Sequence, residues 1–342
     1  MHVADGHVME AAAQGADGMR DERGAARRVL AFLVERFPPV PQLVLMAVLF
    51  VAATLMGGVM LAPAIGGSLG DIDPAKALAG FVGSLLFIVR LRLYDDVKDA
   101  DTDRIENPTR PIPRGLVTVR ELDVAAAVVL VVEGALIASV GSLTFWTWAI
   151  AAAWSVLMRV EFFVPEWLDR HVASFAISHM AVMGLIYGSL LAIGIEARGG
   201  EATLGELLGS PVVLGLMLAS MSIGIGFEWG RKFERYFATH GERAWTWWLL
   251  WPSLGAIGFT FIVRHDYPIW AVTAMAVVTL ATIIAHALVM GQRDRPAPGS
   301  PRAAHGAAPT GPLREAVEAV PGASGLLLYL VLAVAGIVEL VS

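Results

Sequence analysis

Asp95-Asp96-Val97-Lys98-Asp99-Ala100-Asp101-Thr102-Asp103, running straight into Arg104-Ile105-Glu106-Asn107-Pro108-Thr109-Arg110-Pro111-Ile112-Pro113-Arg114-Gly115, sets the terms for the rest of this chain. Five aspartates crowd into nine residues directly after an apolar run of membrane length. Carboxylates this close repel one another and call for a counter-cation. On a helix, Asp96, Asp99 and Asp103 step by three and four residues and so project from one face. Carboxylate oxygens on one face suit a hard divalent cation, and Mg²⁺ commonly bridges a few carboxylates to substrate phosphates. Arg104, Arg110 and Arg114 then supply forks that bind phosphate. The plainer alternative is a solvated acidic patch with a basic loop after it. A charge cluster at the mouth of a membrane helix points more sharply to function than one on a soluble surface.

The composition agrees with a membrane setting. Of 342 residues, 56% are hydrophobic and only 16% charged, above the apolar share of soluble domains. There is no cysteine, so disulfides, thiolate metal sites and cysteine nucleophiles are excluded. Residues 1–40 read as an acidic, small-residue tail followed by an interfacial helix. In that helix Val29, Leu30, Leu33 and Phe37 are expected to face lipid. The segment is too short and too charged for the core of a signal peptide.

Hydropathy gives nine candidate spans, at 41–63, 75–94, 122–140, 143–160, 172–194, 211–230, 244–263, 268–290 and 323–341. The third and fourth are joined by a tight hairpin at Val140-Gly141-Ser142, and the Pro/Ala/Gly-rich stretch 293–312 reads as a flexible loop. If the spans alternate, only Lys76, Arg198 and Arg264 of the 25 Lys and Arg fall on the side opposite the N-terminus. That bias makes the N-terminal side cytoplasmic. The expectation is a multi-pass protein of the cell (inner) membrane, N-terminus inside and C-terminus outside. The charge clusters after spans 2 and 6 then share the cytoplasmic face.

The aspartate cluster resembles the first aspartate-rich motif of the UbiA superfamily of intramembrane prenyltransferases, Asn-Asp-x-x-Asp-x-x-x-Asp, with its Asn/Glu-Pro-x-Arg-Pro-Ile-Pro-x-Gly loop. It stands here as Asp95-Asp96-x-x-Asp99-x-x-x-Asp103 and Asn107-Pro108-Thr109-Arg110-Pro111-Ile112-Pro113-Arg114-Gly115. The only departure in the first motif is Asp95, where the family has Asn. The resemblance implies an all-α integral membrane protein, nine transmembrane helices in a bundle around a central, lipid-open cavity, over residues 41–342. It also implies Mg²⁺ held by Asp96, Asp99 and Asp103, with Asp95 as helper. The implied partners are the bilayer, a polyprenyl diphosphate donor and a small lipophilic or aromatic acceptor. Lys98, Arg110 and Arg114 become diphosphate contacts, and Arg159, at the end of span 4, a further candidate. The implied reaction is transfer of the prenyl group to the acceptor.

The second motif departs from the family, which places Asp-x-x-x-Asp after span 6. This chain has Phe227-Glu228-Trp229-Gly230-Arg231-Lys232-Phe233-Glu234-Arg235. Arg231 and Lys232 can neutralise diphosphate directly, in place of a second metal. Alternatively, they pair with Glu228, three and four residues earlier on the helix.

Other positions carry two readings each. Glu133 lies mid-span, as an acceptor-side base or polar contact, or in a hydrogen bond between helices. His179 and His286 read as packing residues, since they lack metal-ligand spacing. Ser222, Gly224, Gly226 and Gly230 make a small-residue face for close packing or for a prenyl chain. Trp245, Trp247, Trp248 and Trp251 read as an interfacial belt. No nucleic-acid, P-loop or zinc motif is present. The rival functions are a membrane terpene cyclase on the same scaffold and a non-catalytic lipid-binding or transport protein. A transporter tends to carry its site near the midplane, whereas these charges crowd one face.

Overall fold

Apolar runs of this length have one inexpensive way to satisfy their backbone in lipid, and that is the helix. The computed structural model describes residues 24–37, 39–61, 70–240, 249–263, 269–291, 323 and 326–338, and every regular element among them is helical. The longer ones are α1 (Ala25–Arg36), α2 (Pro39–Leu55), α3 (Pro74–Lys98), α4 (Ala100–Glu106), α5 (Val119–Val140) and α6 (Ser142–Arg159). After α7 (Pro165–Arg170) come α8 (Val172–Glu196), α9 (Leu204–Gly209), α10 (Pro211–His240), α11 (Leu250–Val263) and α12 (Ile269–Gly291). A last helix, α13, covers Leu326–Val338.

Each of the nine expected segments falls on one of these helices. Among the described residues, four stretches are long and apolar enough to cross a membrane: Gln42–Val59, Pro74–Lys98, Val119–Val140 and Val172–Glu196. The chain is thus an integral membrane protein. Shorter apolar helices run over Pro211–Gly226, Leu250–Phe259, Ile269–Ala285 and Leu326–Val338. The tight hairpin is present, with α5 ending at Val140 and α6 starting at Ser142. The first residues of the seventh segment, with Trp245, Trp247 and Trp248, lie outside the described residues, as does the 293–312 loop.

The chain divides into two compact units. The first comprises residues 1–44 and 82–135. Its core is Phe32 of α1, Leu93 and Tyr94 of α3, Leu116 and Val117 of the loop before α5, and Leu122 and Ala126 of α5. Here one sequence expectation is corrected. Val29 and Leu33 of α1 pack against this core rather than facing outward, and Phe32 is wholly buried. The exposed large apolar residues of α1 are Leu30 and Val34. The protein core takes the stripe through Val29, Phe32 and Leu33 and leaves Leu30 and Val34 beside it exposed.

The second unit comprises residues 45–81 and 136–342. Its helices approach closely where glycine removes the side chain. After Leu55, α2 widens into a π-helical stretch, Met56–Leu61. A Cβ added at Gly57 would fall 2.1 Å from the Leu191 carbonyl oxygen, and one at Gly194 would fall 2.3 Å from that of Thr54. Backbones in such contact exclude any larger residue. α8 is buried at every position from Ile186 to Ile195. By contrast α5, equally apolar, exposes Val124, Val128, Val131 and Val132.

The end of α8 also caps α6. Glu196 carboxylate oxygens accept from the backbone N–H groups of Leu143 (3.0 Å) and Thr144 (2.8 Å). Helix N-termini leave such donors unsatisfied and favour negative charge. A cavity of about 60 Å³ within this unit is lined by residues including Tyr187, Ser220, Trp251, Met275, Thr282 and Tyr329.

Candidate functional site

The aspartate motif straddles the end of a membrane helix. α3 closes at Lys98, Asp99 takes a turn conformation (φ −83°, ψ 0°), and α4 resumes at Ala100. The hydrogen-bond ladder continues through this joint, from Asp99 N–H to Asp95 C=O (2.9 Å) and from Asp103 N–H to Asp99 C=O (2.8 Å). Helical spacing between the three aspartates is thereby kept. Asp96 and Asp103 are buried, Asp99 and Lys98 half-buried, and Asp95 exposed.

Arginines hold the two buried carboxylates. Arg36, at the end of α1, donates from Nε to Asp96 Oδ1 at 2.9 Å. Arg92, one turn earlier on α3, places its Nε 2.9 Å from Asp96 Oδ2. That contact is an ion pair without hydrogen-bond alignment, and Oδ2 is buried with no hydrogen bond among the described residues. Arg110 Nη1 lies 2.6 Å from both Asp103 oxygens, and Asn107 Nδ2 donates to Asp103 Oδ1 at 3.0 Å. A carboxylate enclosed this deeply needs such partners, or a metal, to remain charged.

The loop that carries Arg110 and Arg114 is a run of turns. Arg110 N–H reaches the Asn107 carbonyl at 3.0 Å, Arg114 N–H the Arg110 carbonyl at 3.1 Å, and Leu116 N–H the Pro111 carbonyl at 2.9 Å. Gly115 has φ +79°, a left-handed conformation that glycine adopts without strain. Arg114 projects to α1, where its guanidinium makes a two-point ion pair with Glu35 (Nη1–Oε1 2.9 Å, Nη2–Oε2 2.5 Å). The bonded carboxylate holds the Arg114 guanidinium pKa above its ordinary value. Arg28 of α1 similarly pairs with Glu121, near the start of α5. Arg104 pairs with Asp101, at 2.8 Å, in a solvent-facing contact.

The structure thus pairs Arg110 with Asp103, keeps Asp96, Asp99 and Asp103 in helical succession, and turns Arg114 toward α1. The motif offers oxygen donors throughout, as Mg²⁺ requires, and Asp96 Oδ2 is a buried oxygen lacking a hydrogen bond. The donor chemistry therefore fits a divalent cation. Among the described residues, however, no three acidic or histidine side chains converge closely enough to hold one in this conformation. Guanidinium groups neutralise Asp96 and Asp103 instead. Arg36 and Arg92 were not singled out from the sequence. Arg92 was within reach, since it precedes Asp96 by four residues on one helix. Arg36 lies sixty positions away from Asp96, and no local pattern connects them.

The remaining candidates belong to the second unit. Arg159 is half-buried at the last residue of α6, and Glu228 is buried on α10. Arg231 and Lys232 are on the same helix, but their side chains lie outside the described residues. Of the two readings of Glu133, the structure supports the interhelical bond: Arg90 of α3 holds it at two points. His179 packs, stacking on Phe175 with ring centroids 3.9 Å apart and Nδ1 3.0 Å from the Phe175 carbonyl oxygen. The side chain of His286 is outside the described residues.

Such a site, acidic and basic at the end of a membrane helix, defines the class: a helical membrane protein with a charged mouth. No family model matches the chain, and no curated protein matches it in sequence. Solved structures do match in fold. A structure of digeranylgeranylglyceryl phosphate synthase superposes with TM-score 0.57 at 16% identity, covering 91% of this chain and 99% of that one. A UbiA homologue from Archaeoglobus fulgidus bound to GPP and Mg²⁺ gives 0.56 at 13% identity, again over 91% and 99% of the two chains. The same homologue bound to DMAPP and Mg²⁺ gives 0.56 at 13%, over 91% and 99%. The fold of this chain is that of the UbiA homologues, as the resemblance of its first motif implies.

Proposed function

We propose that the chain is an intramembrane prenyltransferase of the UbiA superfamily, moving a prenyl group from a polyprenyl diphosphate to a lipophilic, often aromatic, acceptor. The observation that carries the reading is the pairing of buried Asp96 and Asp103 with arginines at the end of a membrane helix. The fold, shared with homologues solved with GPP or DMAPP and Mg²⁺, supports it. On this reading the chain makes nine crossings with its N-terminus in the cytoplasm.

Asp96, Asp99 and Asp103 would hold Mg²⁺. The metal, when bound, supplies charge neutralisation to the leaving diphosphate. Asp95 is exposed beside them and assists. Lys98, Arg110 and Arg114 bind the diphosphate oxygens, and charge on those oxygens grows as the C–O bond to the prenyl group breaks. Arg110 can serve both states, holding Asp103 before substrate enters and phosphate after. Arg159, Glu228, Arg231 and Lys232 are further donor contacts in this proposal, with the two cations of the second motif replacing a second metal. Apolar helices keep water from the allylic cation until the acceptor attacks it.

Purified protein, Mg²⁺ and prenyl diphosphates of several lengths, with and without a pool of lipophilic acceptors, test the proposal. Diphosphate release coupled to a prenylated product is the expected result. Release with an intramolecular product would favour a cyclase on the same scaffold. Donor binding with no release at any length would overturn the enzyme reading in favour of a lipid-binding protein.

A further inference from the structure

α1 is attached to the aspartate motif at more than one level. Its Phe32 is wholly buried in the core formed with Leu93, Tyr94, Leu116 and Leu122. Arg28 pairs with Glu121, and Glu35 pairs with Arg114 of the phosphate-binding loop. At its end Arg36 places a guanidinium on Asp96 Oδ1, at 2.9 Å, while Asp96 is almost fully buried. Both oxygens of this buried carboxylate thus already face a guanidinium, Arg36 on Oδ1 and Arg92 on Oδ2, and a divalent cation entering there is repelled by both. Arg92, on the same helix as Asp96, stays beside it whatever α1 does. Arg36 reaches Asp96 only from a separate element.

We propose that Arg36 gates Asp96: α1 docked and Asp96 bound to a divalent cation are mutually opposed states, so metal loading and release of the end of α1 are one linked equilibrium. The inference rests on the proposed role of Asp96 as a metal ligand. Its physical content is a coupling free energy, which must act in both directions. A cation that binds Asp96 must loosen Arg36, and anything that loosens α1 must raise affinity for the cation. Glu35 joins the same movement to the loop. When the end of α1 leaves, Arg114 loses its carboxylate partner and becomes available to phosphate.

The test uses Mn²⁺ as the probe, on the full-length protein in detergent without donor. Mn²⁺ affinity is read by electron paramagnetic resonance for the wild type, Arg36→Gln and Phe32→Ala. The second variant weakens α1 docking while keeping the guanidinium. Separately, spin labels at Val34→Cys and Arg120→Cys, both exposed positions in a cysteine-free chain, report the distance from α1 to α5 across a Mn²⁺ titration. Both variants are expected to bind Mn²⁺ about fivefold or more tightly than wild type, the lower end of ordinary coupling. The label distance is expected to lengthen or broaden with the same midpoint as metal binding. Unchanged or weaker binding by Arg36→Gln overturns the gate. So does a distance indifferent to saturating Mn²⁺, because loss of a nearby charge would then explain any gain in affinity. Asp96→Asn separates the two ideas. If it alone loses Mn²⁺ while Arg36→Gln is neutral, the metal site stands and the gate falls. If no form binds Mn²⁺, both fall.

Discussion

Arg90 and Glu133 face each other from α3 and α5 as a two-point ion pair, Nε to Oε2 at 2.8 Å and Nη2 to Oε1 at 3.0 Å, with neither side chain exposed. The guanidinium also lies 4.6 Å from the Phe87 ring centroid and 5.3 Å from that of Tyr94. Removing one partner strands a buried charge, at a cost of about 3–5 kcal/mol, whereas removing both is far milder. Arg90→Met and Glu133→Gln should each lower thermal stability in detergent sharply. The Arg90→Met, Glu133→Leu double variant should recover most of the loss. A double variant as unstable as the sum of the singles would mean the two groups are not coupled.

Asp99 is the motif aspartate with no ion pair among the described residues, so its replacement leaves the arginine contacts of Asp96 and Asp103 in place. Asp99→Asn should keep the fold and lose roughly two decades or more of diphosphate-release rate, as expected when a metal-held leaving group loses a ligand. Turnover under saturating Mg²⁺, beside an unchanged melting temperature, checks this.

Glu35 and Arg114 form an ion pair with each side chain 41% exposed. Such pairs contribute at most about 1 kcal/mol, so neither Glu35→Gln nor Arg114→Gln should alter stability much. Their kinetics should diverge. Arg114→Gln removes a proposed phosphate contact and should raise the donor KM several-fold, whereas Glu35→Gln frees the arginine and should leave it unchanged or lower. Equal effects on KM would remove Arg114 from the donor site.

Glu196 closes the N-terminus of α6 from the far end of α8. Glu196→Ala should cost about 1 kcal/mol, the ordinary value of an N-terminal cap, plus the loss of a favourable helix-dipole charge. Gly141→Ala should cost about the same, since its Cβ would displace the end of the Glu196 side chain from the two N–H groups it caps. Unfolding in a denaturing detergent gradient measures both.

The sequence carried much of this architecture because its signals are local. Nine apolar segments, the hairpin at Gly141 and the acidic motif at the end of α3 each follow from composition within a single window. What remained hidden depends on pairing across the chain. Glu133 is visibly costly in a membrane helix, yet only the structure supplies Arg90, 43 positions away, as its partner. The stripe of α1 is apolar in sequence whether it meets lipid or protein, so composition does not tell which of the two Val29 and Leu33 meet. Arg36 looked like one more cytoplasmic cation. Its contact with Asp96 arises because Phe32, one turn before it, is drawn into the core.

α5 and α8 have similar hydropathy and opposite surroundings. On α5, Val124, Val128 and Val131 are exposed, and hydrocarbon around such positions in a bilayer would deform to accommodate a change of side-chain volume. For α8 the medium between Ile186 and Ile195 is packed protein, which does not. Evolutionary drift should therefore run freely among apolar residues along one segment and be nearly frozen along the other. Ile, Leu, Val and Phe should exchange freely at Val131, whereas at Leu190 or Leu191 each swap means a repacking problem.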